Sequence, residues 1–456
     1  MKKALKTKVR GLSKGQFKRL KELSYHAKNL YNQSLWTLLE AFEATGNYFS
    51  YPKMDKAMKQ VTNLEEEINY KLLKAKVAQQ TLRRLDKNFK SFFSSHKDYL
   101  KHSDKYKGKP KPPKYKSGKQ DNLIYDFQAF QIKTLIATEE TSKINLLNCM
   151  FYKGDFVKCR RVAVLEKNLE IQIPNSLWDK KIKQIEIIPK PHYFQAVFVY
   201  QENQDALTQV TSNGNVMSID LGLNNLATCV TNGVIKPFII DGKRLKSINY
   251  YYNKRKAKIQ SDLEKNHGRK WSKRLQNLTD WRNARVKDYL HKVTASVAKT
   301  CIDYKISKVV VGDVTKSLNH INLGKKTNQN FVNLSLGQFI TLLSYKLEQH
   351  GIKLIVANEA YTSKASFIDS DLMPKKYDKD AKPIYSGKRV KRGLYKSRND
   401  TKLNADANAA YNILRKYDSS FCFKELAKSI SGAINAWLHP NKKILITFAS
   451  KTICYK

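Results

Sequence analysis

The sequence predicts a multidomain α+β protein. A β-rich region, a small antiparallel sheet or barrel, is interrupted by a helical insertion; a mixed α/β domain with helices on the faces of its sheet follows. Three observations carry that prediction. Short apolar runs of strand length crowd residues 123–200, while residues 13–92 repeat their apolar positions at helical spacing. From Val216 onward, strand-like runs alternate with helix-like ones. The 456 residues include 85 Lys and Arg against 39 Asp and Glu, a formal charge of +46. Such an excess destabilises a compact state by self-repulsion unless a polyanion relieves it. Nucleic acid is the partner it fits, with an affinity that falls steeply with salt. A cationic membrane-binding surface is the alternative, but no amphipathic basic helix is clearly built for it.

The elements follow in order. Ala4 to Arg10 alternates and reads as an edge strand. Ser13 with Gln16 three residues on makes a capping-box pattern, and Phe17, Leu20, Ala27, Leu30, Tyr31, Leu35, Leu38 and Phe42 continue as a helix that Gly46 stops. Leu72, Leu73, Val77, Leu82, Leu85, Phe89 and Phe92 mark a second helical stretch. Its other positions carry Lys74, Lys76, Arg83, Arg84, Lys87 and Lys90, a cationic back that faces either phosphates or plain solvent. Residues 108–119 hold three prolines and five lysines with Tyr115 among them, and are neither helix nor strand. Lys111, Lys114, Tyr115, Lys116 and Lys119 suit a segment that tracks a backbone and stacks on bases; a flexible linker is the equal alternative.

Strands then fill Leu123 to Tyr200 and pair with the N-terminal strand across the helical insertion. Residues 201–215 are polar and read as a linker. Val216 to Asp220 is a buried strand, and Leu226 to Val230 and Val234 to Ile240 flank an Asn232-Gly233 hairpin signal. Lys243 to Lys265 and Asn277 to Tyr304 read as helices, Lys308 to Asp313 as a buried strand, Leu334 to His350 as a helix ending at Gly351. Ile352 to Val356 is a further strand, and Asn404 caps a last helix from Ala405 to Lys416.

Parallel strands in such a sheet gather their carboxyl ends at one edge, where sites form. Asp220 ends the first strand of the second half, Glu359 follows the last, and Asp406 sits in the first turn of the final helix. Phosphodiester hydrolysis needs an activated water and a stabilised leaving oxygen, which two divalent ions can supply. Mg²⁺, or Mn²⁺, takes oxygen ligands and keeps several waters, so Asp220, Glu359 and Asp406 suffice as catalytic metal ligands. Each acid alone has a plainer reading as a turn, loop or helix-dipole residue. The six cysteines form no CxxC pair and read as core hydrophobes in a reducing compartment, so no structural zinc is expected. The start of the chain lacks the apolar core of a signal peptide and no run is long enough to span a bilayer, which points to a cytoplasmic protein.

Three stretches resemble a known family: Ser218-Ile219-Asp220-Leu221-Gly222, the run from Asn358-Glu359-Ala360 to Lys364, and Asn404-Ala405-Asp406-Ala407-Asn408 on to Ile413. They are similar to the RuvC motifs of the TnpB family, transposon-encoded RNA-guided DNA endonucleases long called OrfB transposases and related to type V CRISPR effectors. Gln79 to Phe89, the Pro-Lys run near Lys114 and Leu290-His291-Lys292 agree, and the resemblance covers roughly residues 1–416. It implies a β-barrel-like wedge domain from residues 1–12 and 121–210, and a helical recognition insertion at 13–120. An RNase H-like (RuvC) nuclease would occupy 211–416. It implies a guide RNA from the element's end and a double-stranded DNA target read beside an adjacent motif, in a prokaryotic, nucleoid-associated setting. The family's zinc ribbon has no counterpart among residues 360–405, which lack Cys and His. A basic loop, 362–403, replaces it, where Lys364, Arg389, Arg392 and Arg398 contact the DNA strand or simply face solvent. The tail, 417–456, lies outside the resemblance. A guided DNA binder that does not cut, and a DNA-joining transposase, are the competing readings.

Overall fold

The computed structural model describes residues 2–103, 106, 108–136, 148–152, 155–202, 209–211, 213–313, 335–374, 383–391, 393–430, 434–440, 442–445 and 454–455. The chain divides into two compact units, Met1–Gln204 and Asp205–Lys456.

In the first unit, β1 (Lys2–Lys8) lies at the edge of a four-stranded antiparallel sheet. It pairs with β8 (Phe194–Gln201), which pairs with β7 (Lys181–Pro189), and β7 with β2 (Leu123–Asp126). A second antiparallel sheet places β5 (Asp155–Glu166) between β3 (Gln131–Ile136) and β4 (Asn148–Tyr152), with β6 (Leu169–Gln172) also on β5. The described strands form two sheets and no closed barrel, which corrects the barrel expectation. The pairing ends at β1 and β2, and no ladder joins those edges.

Between β1 and β2 run α1 (Lys14–Thr45), α2 (Tyr51–Met58) and α3 (Ala75–Lys101). Ser13 and Gln16 form the capping box, which contributes about 1 kcal/mol, and Gly46 closes α1 in the left-handed region at φ 67°. Leu20, Ala27, Leu30 and Leu35 of α1 are fully buried, with Val77, Leu82 and Leu85 of α3 in the same core. Residues 108–119 are neither helix nor strand.

In the second unit, one sheet runs in the order β13 (Lys353–Ala357), β12 (Lys308–Gly312), β9 (Val216–Leu221), β10 (Asn225–Thr231), β11 (Phe238–Asp241), β17 (Lys442–Leu445), β18 (Cys454–Tyr455). β12 is parallel to both β9 and β13, while β10 is antiparallel to its neighbours. The period of two sorts the side chains. Met217, Ile219, Leu221, Val309 and Val311 join one core with α5 (Lys273–Asp303) and α6 (Leu336–Glu348). Val216 and Val310 join the opposite core with α7 (Ala405–Tyr417). Asp220 has the parity of Val216, and Gly312 that of Val310. Alternation therefore turns both toward α7.

The hairpin is looser than Asn232-Gly233 suggests, because β11 begins only at Phe238. Thr231 Oγ1 bridges the loop, donating to the Ile235 carbonyl at 2.8 Å and accepting the Ile235 amide at 3.0 Å. Asn232 Oδ1 is drawn off to accept the Val216 amide at 3.0 Å. The tail is part of this unit. α8 (Phe423–Ser429) and α9 (Ile434–Leu438) supply Leu426 and Trp437 to the α7 core, and β17 adds a strand parallel to β11.

Candidate active site

Asp220 is the fifth residue of β9 and lies opposite Thr228 of β10. Glu359 follows β13 by two residues, in a turn where Asn358 Oδ1 accepts the Ala360 amide at 2.8 Å. Asp406 opens α7 behind Asn404, whose Oδ1 accepts the amides of Asp406 and Ala407, each at 3.0 Å. The three carboxylates act on one another. Burial first, then the charges of Asp406 and Glu359, hold the Asp220 acid well above the usual carboxylate range, and the Arg389 guanidinium pulls the other way.

Two non-local devices fix the outer acids. Asn225 Nδ2, at the start of β10, donates to Asp406 Oδ2 at 2.8 Å. Asn408, Asn412 and Lys416 share one face of α7 at intervals of four residues. Asn408 Nδ2 donates to the Ala365 carbonyl at 2.8 Å, and Asn412 Nδ2 to those of Thr362 and Ala365 at 3.0 and 2.8 Å. Lys416 Nζ donates to the Ala360 carbonyl at 2.6 Å. The helix that presents Asp406 thus grips the backbone that follows Glu359, at Ala360, Thr362 and Ala365. Gly312, at the end of β12, completes the seat. A Cβ there would lie 2.6 Å from Glu359 Oε2 and 3.0 Å from Ile413 Cδ1, so any side chain would collide with the acid. None of these contacts has a local sequence signal, and Gly312, Asn225, Asn412 and Lys416 escape sequence reasoning for that reason.

The described residues between 362 and 403 include regular structure as well as loop. β14 (Lys388–Lys391), β15 (Leu394–Lys396) and β16 (Lys402–Asn404) form a small antiparallel sheet. Asp371 ties it down, accepting the Ser366 amide at 2.8 Å and the Ser386 hydroxyl at 2.5 Å. Asp369 accepts the Ser366 hydroxyl at 2.6 Å and the Arg398 amide at 3.0 Å. Arg389, on β14, places a guanidinium nitrogen 3.5 Å from Asp406 Oδ1.

The donor set suits a hard divalent cation: all oxygen, anionic, and mutually repelling, so that bound positive charge would relieve it. Among the described residues, no three His, Cys, Asp or Glu side chains stand close enough to enclose one ion as they are.

The basic residues of the first unit divide into exposed and engaged. Lys87, Lys111, Lys114, Tyr115 and Lys119 are exposed, and Lys76 is half-buried. Arg83 lies over the Tyr51 ring at 4.5 Å. Arg84 pairs with Asp121 at 2.5 Å, and Lys116 lies over the Tyr31 ring at 5.0 Å. Residues 108–119 are tied to α1 at one point. Asn32 Oδ1 accepts the Lys116 amide at 2.8 Å, and Asn32 Nδ2 donates to its carbonyl at 3.1 Å. In the second unit Lys364 and Arg398 are exposed, with Arg398 also donating to Ser386 Oγ at 3.2 Å. Arg392 lies outside the described residues.

Comparison with known proteins adds three findings. Residues 196–318 match the OrfB_IS605 family, described as a probable transposase, and residues 337–413 match the Cas12f1-like TNB domain. The putative RNA-guided DNA endonuclease InsQ of Escherichia coli strain K12 is 23% identical over 349 residues, 73% of this chain and 75% of that protein. The fold is similar to that in a cryo-EM structure of a Cas12f1–sgRNA–target DNA complex, with 15% identity, 88% of this chain and 83% of that chain covered, and a TM-score of 0.50.

Proposed function

The chain belongs to the TnpB (OrfB) family, and on that premise we propose that it is an RNA-guided DNA endonuclease whose cutting site is the Asp220, Glu359 and Asp406 edge. The observation that carries the assignment to this edge is the convergence of carboxylates from three separate elements, with Asp406 and Glu359 near enough to raise the Asp220 acid. In a chain of net charge +46, three acids gathered at one edge with Arg389 only partly offsetting them are a place prepared for bound metal.

Asp220, Glu359 and Asp406 would hold two divalent ions, Mg²⁺ or Mn²⁺, which when bound supply an activated water and stabilise the leaving oxygen. The chain's own part is to bind and orient. Asn225 sets the Asp406 carboxylate, the α7 asparagines and Lys416 set the Glu359 turn, and Gly312 leaves room for its carboxylate. Arg389 tempers the charge of the site and is placed to meet an anionic strand brought to it. Guide RNA pairs with one strand of the DNA target, and the protein reads a short adjacent motif. The exposed cations of both units follow the phosphate backbones. In this reading residues 1–12 and 121–210 form the wedge, 13–120 the recognition insertion and 211–416 the RuvC-like nuclease.

The test is Asp220→Ala in protein purified with the RNA transcribed from its flanking DNA. Metal ligation is worth several kcal/mol of transition-state stabilisation, so cutting should fall on the order of 10³-fold or more while RNA stays bound. Undiminished cutting by that variant would overturn the assignment.

A further inference from the structure

The second unit carries a surface that none of the site residues above explains. α4 (Lys243–His267) holds eight Lys and Arg against two acids, and its partner helix α5 seven against three. A solvated helix pair needs no exposed aromatics, yet Tyr251 and Trp281 are 45% and 39% exposed. Their rings meet edge to face at 5.4 Å. Each helix repeats one device at a spacing of four. On α4, Arg255 lies over Tyr251 at 5.6 Å; on α5, Arg285 lies over Trp281 at 6.0 Å. Both arginines are exposed. The result is two aromatic faces and two guanidinium planes on one strongly basic surface. A protein partner would favour a more apolar patch, whereas bases stack on aromatics and phosphates meet guanidinium groups.

The position of α4 says which strand. Its first turn stands at the carboxylate edge. The Gly242 amide donates to the Asn224 carbonyl at 2.7 Å and Lys246 Nζ to Asn224 Oδ1 at 3.2 Å, beside the Asn225 that holds Asp406. Tyr251 lies about 12 Å along the helix from Lys243, at 1.5 Å per residue. We propose that Tyr251, Trp281, Arg255 and Arg285 form a stacking platform for single-stranded DNA, holding the strand delivered to the carboxylates. The proposal rests on the endonuclease reading above.

The experiment uses the RNA-loaded protein with divalent ions omitted and a labelled oligothymidylate. Replacing both aromatics (Tyr251→Ala with Trp281→Ala) should weaken oligonucleotide binding about tenfold or more, a stacking contribution of one to two bases. Tyr251→Phe with Trp281→Phe should stay within about twofold, since the ring faces remain. Arg255→Ala with Arg285→Ala should lower the salt slope by about 1.4, at about 0.7 per phosphate lost. Guide RNA retention should be unchanged in all three. Wild-type affinity in the double alanine variant would overturn the platform, and so would loss of guide RNA with DNA binding intact. A wild-type protein that binds the oligonucleotide through these residues, yet never cuts a guide-matched DNA once Mg²⁺ is restored, overturns the endonuclease reading alone. One that cuts, with the double alanine variant cutting and binding equally well, overturns the platform alone.

Discussion

The paired acids of the first unit and the Asp220 cluster of the second are treated in opposite ways. In the first, Asp121 is met by Arg84 at 2.5 Å and Lys116 at 4.0 Å, and Asp86 by Lys90 at 2.7 Å with the Tyr48 hydroxyl at 3.0 Å. There the acids hold helices and the Pro-Lys segment together. In the second, Asp220 is surrounded by burial and by Asp406 and Glu359, and Arg389 offsets them only in part. A paired acid is a structural fastener, and an acid set against other acids stores unfavourable energy that only a bound cation or proton releases. That difference separates structural acids from candidate catalytic ones more sharply than residue type does.

The contrast can be broken at its strong end first. Asp121→Ala leaves the half-buried Arg84 without its carboxylate, and should cost about 1–3 kcal/mol of stability, read from urea unfolding. Asp220→Asn should do the reverse, melting higher than wild type when no divalent ion is present. Added Mg²⁺ should then stabilise wild type by about 2.7 kcal/mol at a hundredfold excess over Kd, and the variant hardly at all. Calorimetry with and without the ion checks both halves. Asn412→Ala removes a donor to two buried carbonyls and should cost about 1–3 kcal/mol, with cutting reduced further than stability because the Glu359 turn loosens.

The smallest effect concerns a half-buried cation. Lys346 on α6 donates to the His291 carbonyl at 2.6 Å and to Thr294 Oγ1 at 2.8 Å, and burial lowers its pKa to about 8 from an ordinary 10.5. Between those values the unfolded chain binds the extra proton, so this residue's contribution to stability rises with pH from about 8 to 10.5 and is flat below. Lys346→Met should remove that rise, seen by comparing denaturation midpoints of the two proteins at pH 7.5 and 9.5.

The sequence by itself determined the local decisions. Ser13 with Gln16 starts α1, Gly46 stops it and Asn404 starts α7, because caps and left-handed stops depend on residues within a few positions. The apolar run Val216 to Asp220 likewise marks a buried strand that ends on an acid, while which core the acid faces is set only by the packing on both sides of it. Those signals sufficed to name three acids at the ends of separate elements. Only the tertiary structure decided what joins them. Gly312 looks like an ordinary strand-end glycine until Glu359 is seen across its missing Cβ, and Asn412 like a mid-helix polar residue until the Thr362 and Ala365 carbonyls meet it. The tail has no legible role in sequence, yet Trp437 closes the core behind α7 and its carbonyl accepts the Tyr411 hydroxyl at 3.2 Å. These contacts join residues tens of positions apart. Their free energy exists only once the sheet has brought the elements together, and no local pattern records it.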